Sequence, residues 1–413
     1  MKNSAMLLFG LILMLAGTAA GQEQDEFATL RLEIGDPGLK GQTMEVRPDT
    51  IHSTRTGLPL EFEDMIREMA EARIIHVGES HNSLPMHRIQ ARIIRSLYEQ
   101  NPDLTVGMEM FTPLRQAPLN KWSMGLLTQK EFIREAEWYV AWNFNFGFYH
   151  DIFEAVKTLR IPIYGLNAPR EIISKLRMGG YDALTEEEKA QVPNPDTTHQ
   201  DHRVYIRAVF EDMDMPHAMA GPGLDKVFEG LYRAQSAWDE VMSDNILNAL
   251  EYTRNRMVVL AGSGHLMYNL GINRRAFEKS GWPFKTVVCV MIPEGQESLQ
   301  VSRSLADYVW GLPEQERPTY PSIGLRLKMF DHLANPVVER EPIDGIALDA
   351  GFEKGDVILS VGDHAFNDIN TLRTYLSHFN WGDTVIFEVL RDAQVKTIEL
   401  VFEYKEGEEE KQG

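Results

Sequence analysis

Arg73-Ile74-Ile75-His76-Val77-Gly78-Glu79-Ser80-His81 decides the fold. A mostly apolar run closes on a glycine and then on three polar side chains, and a helical pattern opens at Pro85 and continues to Gln100. An apolar strand that runs through a polar turn into a helix is the repeating unit of a parallel sheet covered on both faces. His76, inside the strand, is expected to be a hydrogen-bonded core histidine.

The same alternation continues in both directions. Strands are expected at Leu104–Met108, Ile161–Gly165, Met257–Ala261 and Thr286–Ile292. Helices are expected at Leu60–Ala72, Pro85–Gln100, Asp151–Leu159, Pro169–Arg177 and Val204–Met213, with a longer one from Asp225 to Tyr252. The fold class over residues 50–293 is therefore α/β, a mostly parallel sheet wrapped by helices. Residues 22–49 form an N-terminal extension with some strand alternation at Leu30, Leu32 and Ile34. Residues 294–318 are polar and read as a linker with one short helical piece near Leu305–Trp310. From about 319 to 404 the chain turns to short strands, at Ile323–Lys328, Pro336–Glu341, Asp356–Val361, Thr384–Arg391 and Lys396–Phe402, broken by a helix at Asn370–Phe379. Residues 405–413 are an acidic tail.

Polar side chains collect where the strands of the α/β region end. They are Glu79 with His81, Glu109 after Gly107-Met108, Asn167 after Gly165-Leu166, and His265 after Ala261-Gly262-Ser263-Gly264. Ligands of open α/β sheets bind outside the carboxyl ends of the strands. Two carboxylates and two imidazoles there can hold a divalent metal, or share the work of general base and electrostatic support in hydrolysis. His87 falls in the first turn of a helix, where the dipole favours a neutral imidazole, which is a surface group or an iron ligand.

The 413 residues carry 41 Lys plus Arg against 61 Asp plus Glu, a net charge of −20. That balance argues against nucleic acid and against a polybasic membrane surface. Apolar residues are 43% of the chain, enough for real cores. The one cysteine, Cys289, excludes an internal disulfide, lies in the apolar run Val287–Val290 and reads as core. Lys2, the apolar run Met6–Ala16 and the small residues through Gly21 read as a signal peptide over residues 1–21, so the mature chain is expected to begin near Gln22. No later segment suits a membrane span, and no cysteine near the cleavage point suits a lipoprotein anchor. The mature protein is expected to be soluble and periplasmic or secreted.

Taken together, Arg55-Thr56-Gly57-Leu58-Pro59-Leu60, the Gly78-Glu79-Ser80-His81 turn with His87, Gly107–Phe111, Ala234-Gln235 with Trp238-Asp239, and Ala261–His265 resemble the ChaN-like haem-binding uptake family. Its wider superfamily includes erythromycin esterases and Tiki-type metal-dependent proteases. The resemblance implies haem binding and iron uptake, with histidine and tyrosine iron ligands and a homodimer enclosing the haem. The candidate haem contacts are His81, His87, His265 and Asn167. Glu79, His81, Glu109 and His265 match the superfamily positions that would hold a bare divalent metal, or act catalytically in an esterase or peptidase. Ser322-Ile323-Gly324-Leu325 and Gly345–Gly362 resemble a PDZ domain of the bacterial protease type. That implies capture of peptide or protein C-termini by Ile323, Gly324 and Leu325, with Leu372 and Leu376 facing the peptide.

Overall fold

The computed structural model describes residues 27–212, 222–251, 253–343 and 345–405. The expected signal peptide and the tail from residue 406 lie outside the described residues. The chain divides into two compact units, one of Met1–His81, Pro85–Gly125 and Asp151–Glu314, the other of Asn82–Leu84, Leu126–His150 and Gln315–Gly413.

The first unit is built on an eight-stranded sheet: β1 (Ile51–Ser53), β2 (Leu58–Leu60), β3 (Ile74–Glu79), β4 (Leu104–Met108), β5 (Ile163–Gly165), β6 (Arg256–Gly262), β7 (Phe284–Ile292) and β8 (Tyr308–Pro313). The spatial order is β2-β1-β8-β7-β3-β6-β4-β5. The six strands from β8 to β5 are mutually parallel; β1 runs against them, and β2, antiparallel to β1, runs in their direction again. Every residue of β3, β4 and β6 is buried, as suits mostly apolar strands covered on both faces. The helices that matter for the site are α1 (Leu84–Gln100), α2 (Arg170–Gly179), α3 (Gln200–Asp212) and α4 (Pro222–Leu250). On α4, Met242, Ile246 and Leu250 follow helical spacing and pack with Met257, Val259 and Ala261 of β6.

Three expectations need correction. The stretch read as a linker contains two strands: Leu299–Ser302 pairs with Thr43–Val46, and β8 adds to the main sheet in register with β7, Trp310 opposite Cys289. The helical piece near Leu305–Trp310 does not form, because Tyr308, Val309 and Trp310 are residues that fit a pleated sheet. In the N-terminal extension the alternation at Leu30, Leu32 and Ile34 forms no strand: a 3-10 turn stands at Ala28–Leu30 and the strand comes later, at Thr43–Val46, with Leu30, Ile34, Met44 and Val46 buried in the core. His76 is fully buried as expected, but neither ring nitrogen has a hydrogen-bond partner among the described residues.

In the second unit an antiparallel sheet is built from β9 (Leu327–Lys328), β10 (Val337–Val338), β11 (Val357–Val361), β12 (His364–Ala365), β13 (Thr384–Arg391) and β14 (Gln394–Val401). The strand expected from Ile323 is reduced to β9, and Gly345–Asp349 adds a short helix. Helix α5 (Ile369–Leu376) is capped by Asp368, which accepts from Thr371 N at 2.7 Å. Residues 126–150 join this unit through the polar face of α5. Asn370 Oδ1 accepts from Tyr139 N at 3.0 Å, and Arg373 Nη1 donates to Tyr139 O at 3.1 Å.

Candidate functional site

Because β3, β6 and β4 are adjacent and parallel, their carboxyl ends open on one edge of the sheet. The register sets Glu79 opposite Gly262 and Met108 opposite Leu260. Glu79, His81, Glu109 and His265 meet there, 2%, 5%, 5% and 4% exposed. His81 Nδ1 lies 2.5 Å from Glu79 Oε1, and His87 Nε2, from α1, lies 3.2 Å from Glu79 Oε2. Glu109 Oε2 accepts from Gly262 N at 2.7 Å, and its Oε1 is 3.5 Å from His265 Nε2. A Cβ on Gly262 would lie 3.0 Å from His81 Cε1 and 3.6 Å from Glu109 Oε2, in the space between the two. One ligand atom from each of Glu79, His81 and Glu109 lies within 4.8 Å of the other two.

Behind His265 stands a residue the sequence reading quoted but gave no role. Asp239 of α4 has its Oδ1 2.6 Å from His265 Nδ1, and Gln235, one turn earlier, brings its amide to 2.7 Å of the same nitrogen. The other carboxylate oxygen of Asp239 lies 3.3 Å from His202 Nε2 of α3 and 3.5 Å from Arg275 Nη1. Gln235 and Asp239 are four residues apart in an otherwise apolar helical face (Ala234, Ala237, Met242), which is the signal that could have found them. Nothing in the sequence spacing points to His202 or Arg275.

Burial would raise the carboxyl of Glu79, but His81 and His87 outweigh it and hold it at about 2. Burial would lower His265, but Glu109 and Asp239 push it up to about 10. His81 is likewise raised, by Glu79 against burial, and Glu109 lowered, by His265 against burial. The pocket thus carries alternating charges from Glu79 through His81, Glu109 and His265 to Asp239. His76, by contrast, is pushed down to about 3 by burial.

These shifts set how the metal-free protein responds to pH. Glu79 contributes stability that is complete above its ordinary value of 4.5 and is lost as pH falls towards about 2. His265 contributes stability complete below 6.5 and lost as pH rises through about 10. His76 contributes in full above 6.5 and loses it as pH falls through about 3. Stability should therefore peak close to pH 6.5 and fall on both sides. Urea unfolding with a chelator present checks this, and a continuing rise towards roughly pH 9 would contradict it.

The other expected residues fall as follows. His87 is fully buried against Glu79, not at the surface. Asn167 is spent on the chain itself: its Nδ2 donates to Glu109 O and its Oδ1 accepts from Ala168 N, both at 2.8 Å. In the second unit, Ile323 and Leu325 pack partly buried against the domain core, as does Leu376. Leu372, expected to face a peptide, is fully buried in that core. Gly324 takes the left-handed conformation, φ +76°.

The sequence family described as haem-binding uptake, Tiki superfamily, ChaN matches residues 65–276. The chain belongs to that family. A PDZ domain matches residues 321–401 of the same chain. Among solved structures, the ChaN-type chain is similar to ChaN of Campylobacter jejuni, described with cofacial haem binding. Identity is 21% over 63% of this chain and 95% of that one, with a TM-score of 0.48. It is also similar to an erythromycin esterase mutant, EreC, in its open conformation, at 11% identity over 63% of this chain and 83% of that one, TM-score 0.35. A fifth of the chain is similar to part of an HtrA-type protease, AlgW with decapeptide, at 22% identity over 20% of this chain and 29% of that one, TM-score 0.19. No curated protein matches. Among the described residues no helix is long and apolar enough to cross a membrane.

Proposed function

We propose that this ChaN-type protein is exported and binds iron as a bare divalent ion through Glu79, His81 and Glu109, with His265 alongside, while its PDZ domain captures peptide C-termini. The observation that carries the metal reading is the donor set: two carboxylates and an imidazole whose ligand atoms all fall within 4.8 Å of one another in a buried recess. Mixed nitrogen and oxygen donors suit iron, manganese or zinc. The same residues do not fit haem as axial ligands. A haem iron needs an imidazole nitrogen bared at an apolar face, whereas the rings of His81, His87 and His265 are at most 5% exposed and engaged by Glu79, Glu109 and Asp239. Titration of the chelator-treated protein with iron(II), manganese(II) or zinc(II) should show one equivalent bound. Binding of none of the three would overturn the reading.

A second reading, hydrolysis of an ester or peptide by Glu79, His81, Glu109 and His265, is favoured by one observation. The Asp239 carboxylate orients His265 through Nδ1 at 2.6 Å and leaves Nε2 directed at Glu109. With both nitrogens facing carboxylates and its pKa pushed up to about 10, the ring is protonated near neutral pH and is held as a general acid, leaving the carboxylates as the bases.

For the PDZ domain the supporting observation is a row of donors. The N–H groups of Ile323, Gly324 and Leu325 donate to nothing among the described residues, and the left-handed Gly324 lets consecutive N–H groups converge. Among the described residues, strand β9 is an edge strand paired with β10 alone. A peptide acid should bind the full-length protein at least about tenfold more tightly than its amide, the loss expected for a charge-assisted anchor. Equal binding of acid and amide, read by fluorescence anisotropy, would defeat this assignment.

A further inference from the structure

Two sequence families meet inside one compact unit. Residues 126–150 fall within the stretch that matches the haem-binding uptake family, yet they belong to the second unit, with the residues 321–401 that match the PDZ domain. The segment is held by its own aromatic core. Trp138 sits 5.2 Å from both Phe146 and Tyr149, and none of the three rings is more than 2% exposed. The Tyr139 hydroxyl accepts from Phe146 N at 3.2 Å and closes the block.

This block touches the PDZ domain in two places, and each bears on the proposed peptide groove. The first is α5. Asn370 and Arg373 lie one turn apart, with the C-cap Ser377 one turn further, so they share a face of the helix. Leu372 and Leu376 lie on the other side, against the domain core. Asn370 uses both ends of its amide on the block, accepting from Tyr139 N at 3.0 Å and donating to Ile133 O at 3.4 Å. Arg373 Nη1 donates to Tyr139 O at 3.1 Å, and Asn145 Nδ2 donates to the helix-end carbonyl of Ser377 at 3.2 Å. The second place is Tyr320, just ahead of the Ile323–Leu325 loop. Phe148 meets its ring edge-on at 4.9 Å. Gly147 lies so close that a Cβ there would fall 2.5 Å from Tyr320 Cζ. Its φ is not in the left-handed region, so glycine serves here for room and not for conformation. The Ile323–Leu325 loop with β9 makes one wall of the groove and α5 the other, and the block grips the helix and the lead-in to the loop.

We infer that residues 126–150 are a clamp that sets the spacing of the two groove walls, so that peptide affinity depends on this segment and peptide binding is felt by it. A helix held in place before the peptide arrives costs nothing to order on binding, whereas a loosened one must be fixed at the expense of affinity. Coupling of this kind is reciprocal, so the bound peptide must in turn hold the clamp. The inference rests on the peptide-capture reading and adds to it that the PDZ groove is regulated by a segment of the ChaN-family stretch.

The test uses the full-length protein and the best binder from a fluorescein-labelled library of peptides with free C-termini. Hydrogen exchange read by mass spectrometry should slow across residues 126–150 when this peptide saturates the protein. Arg373→Ala removes a tie to Tyr139, and Gly147→Ala displaces Tyr320. Each should weaken binding about fivefold, as for loss of one hydrogen bond or its equivalent in fit. Arg373→Lys keeps a donor and should stay close to the parent. Circular dichroism confirms that each variant folds. Exchange across 126–150 that is unchanged by saturating peptide, or folded Arg373→Ala and Gly147→Ala proteins that both bind within about twofold of the parent, overturns the inference. Should a variant fail to fold, exchange in the parent decides. A parent that binds no member of the library sinks the peptide-capture reading, and the clamp falls with it. A parent that binds peptide while 126–150 stays indifferent sinks the clamp alone.

Discussion

Asp239→Ala should destabilise the first unit by about 3–5 kcal/mol, the cost of breaking a buried ion pair from one side. The residue is fully buried and faces His265, His202 and Arg275 within 3.5 Å. Its removal strips the raised His265 of one of its two carboxylate partners. Arg275, 2% exposed, keeps Glu240 at 3.1 Å but loses the charge on its other side. For a unit of this size the expected fall in Tm is roughly 10 °C. Asp239→Asn, which keeps the shape and one acceptor but not the charge, should fall between parent and alanine. Thermal unfolding of the chelator-treated protein decides the matter, and a change within about 0.5 kcal/mol, as for an ordinary surface substitution, would show that Asp239 does not hold the pocket together.

The second large effect is on binding. Glu109→Gln is nearly isosteric and keeps an oxygen to accept from Gly262 N, so the strand ends should stay in place. What it removes is the negative charge that faces His81 and His265 and would neutralise a cation. Loss of groups that only support metal ligands commonly costs ten- to a hundredfold in affinity. Loss of a direct ligand should cost about a hundredfold or more. Isothermal titration of parent and variant with the same metal ion, alongside circular dichroism to confirm the fold, measures this. Equal affinity in the two would remove Glu109 from the ligand set and with it the geometry on which the metal reading rests.

How much of this was legible beforehand depends on the range of the interactions. Strands β3, β4, β6 and β7 are mostly apolar runs, and a pattern of that kind is carried by the side chains themselves, so their places could be read to within two residues. Strand β8 could not, because Tyr308–Pro313 sits in a polar neighbourhood and becomes a strand by pairing with β7 on one side and β1 on the other. The tightly turned extension at Leu30–Ile34 was misread for a related reason. Its apolar residues meet a core assembled from segments more than two hundred positions away, including Tyr268, whose hydroxyl donates to Thr29 O and accepts from Leu32 N.

For the site, the residue types and their places at strand ends were written in the chain: glycine, then a carboxylate or imidazole, after each apolar run. A parallel order of strands follows from alternating strands and helices, and that order alone brings Glu79, Glu109 and His265 to one edge. What the sequence could not say is which partner each would choose. His87 had equal claim to the surface until α1 turned it inward onto Glu79. Asn167 had equal claim to a ligand until it closed on the backbone of Glu109. Asp239, His202 and Arg275 come from three separate helices and meet only when those helices pack, because a buried carboxylate must gather its counter-charges from whatever elements surround it. Local pattern, set by neighbours in sequence, determined the elements and the chemistry available. Burial, which removes water as a competing partner and leaves only the nearest charged group, decided the pairing.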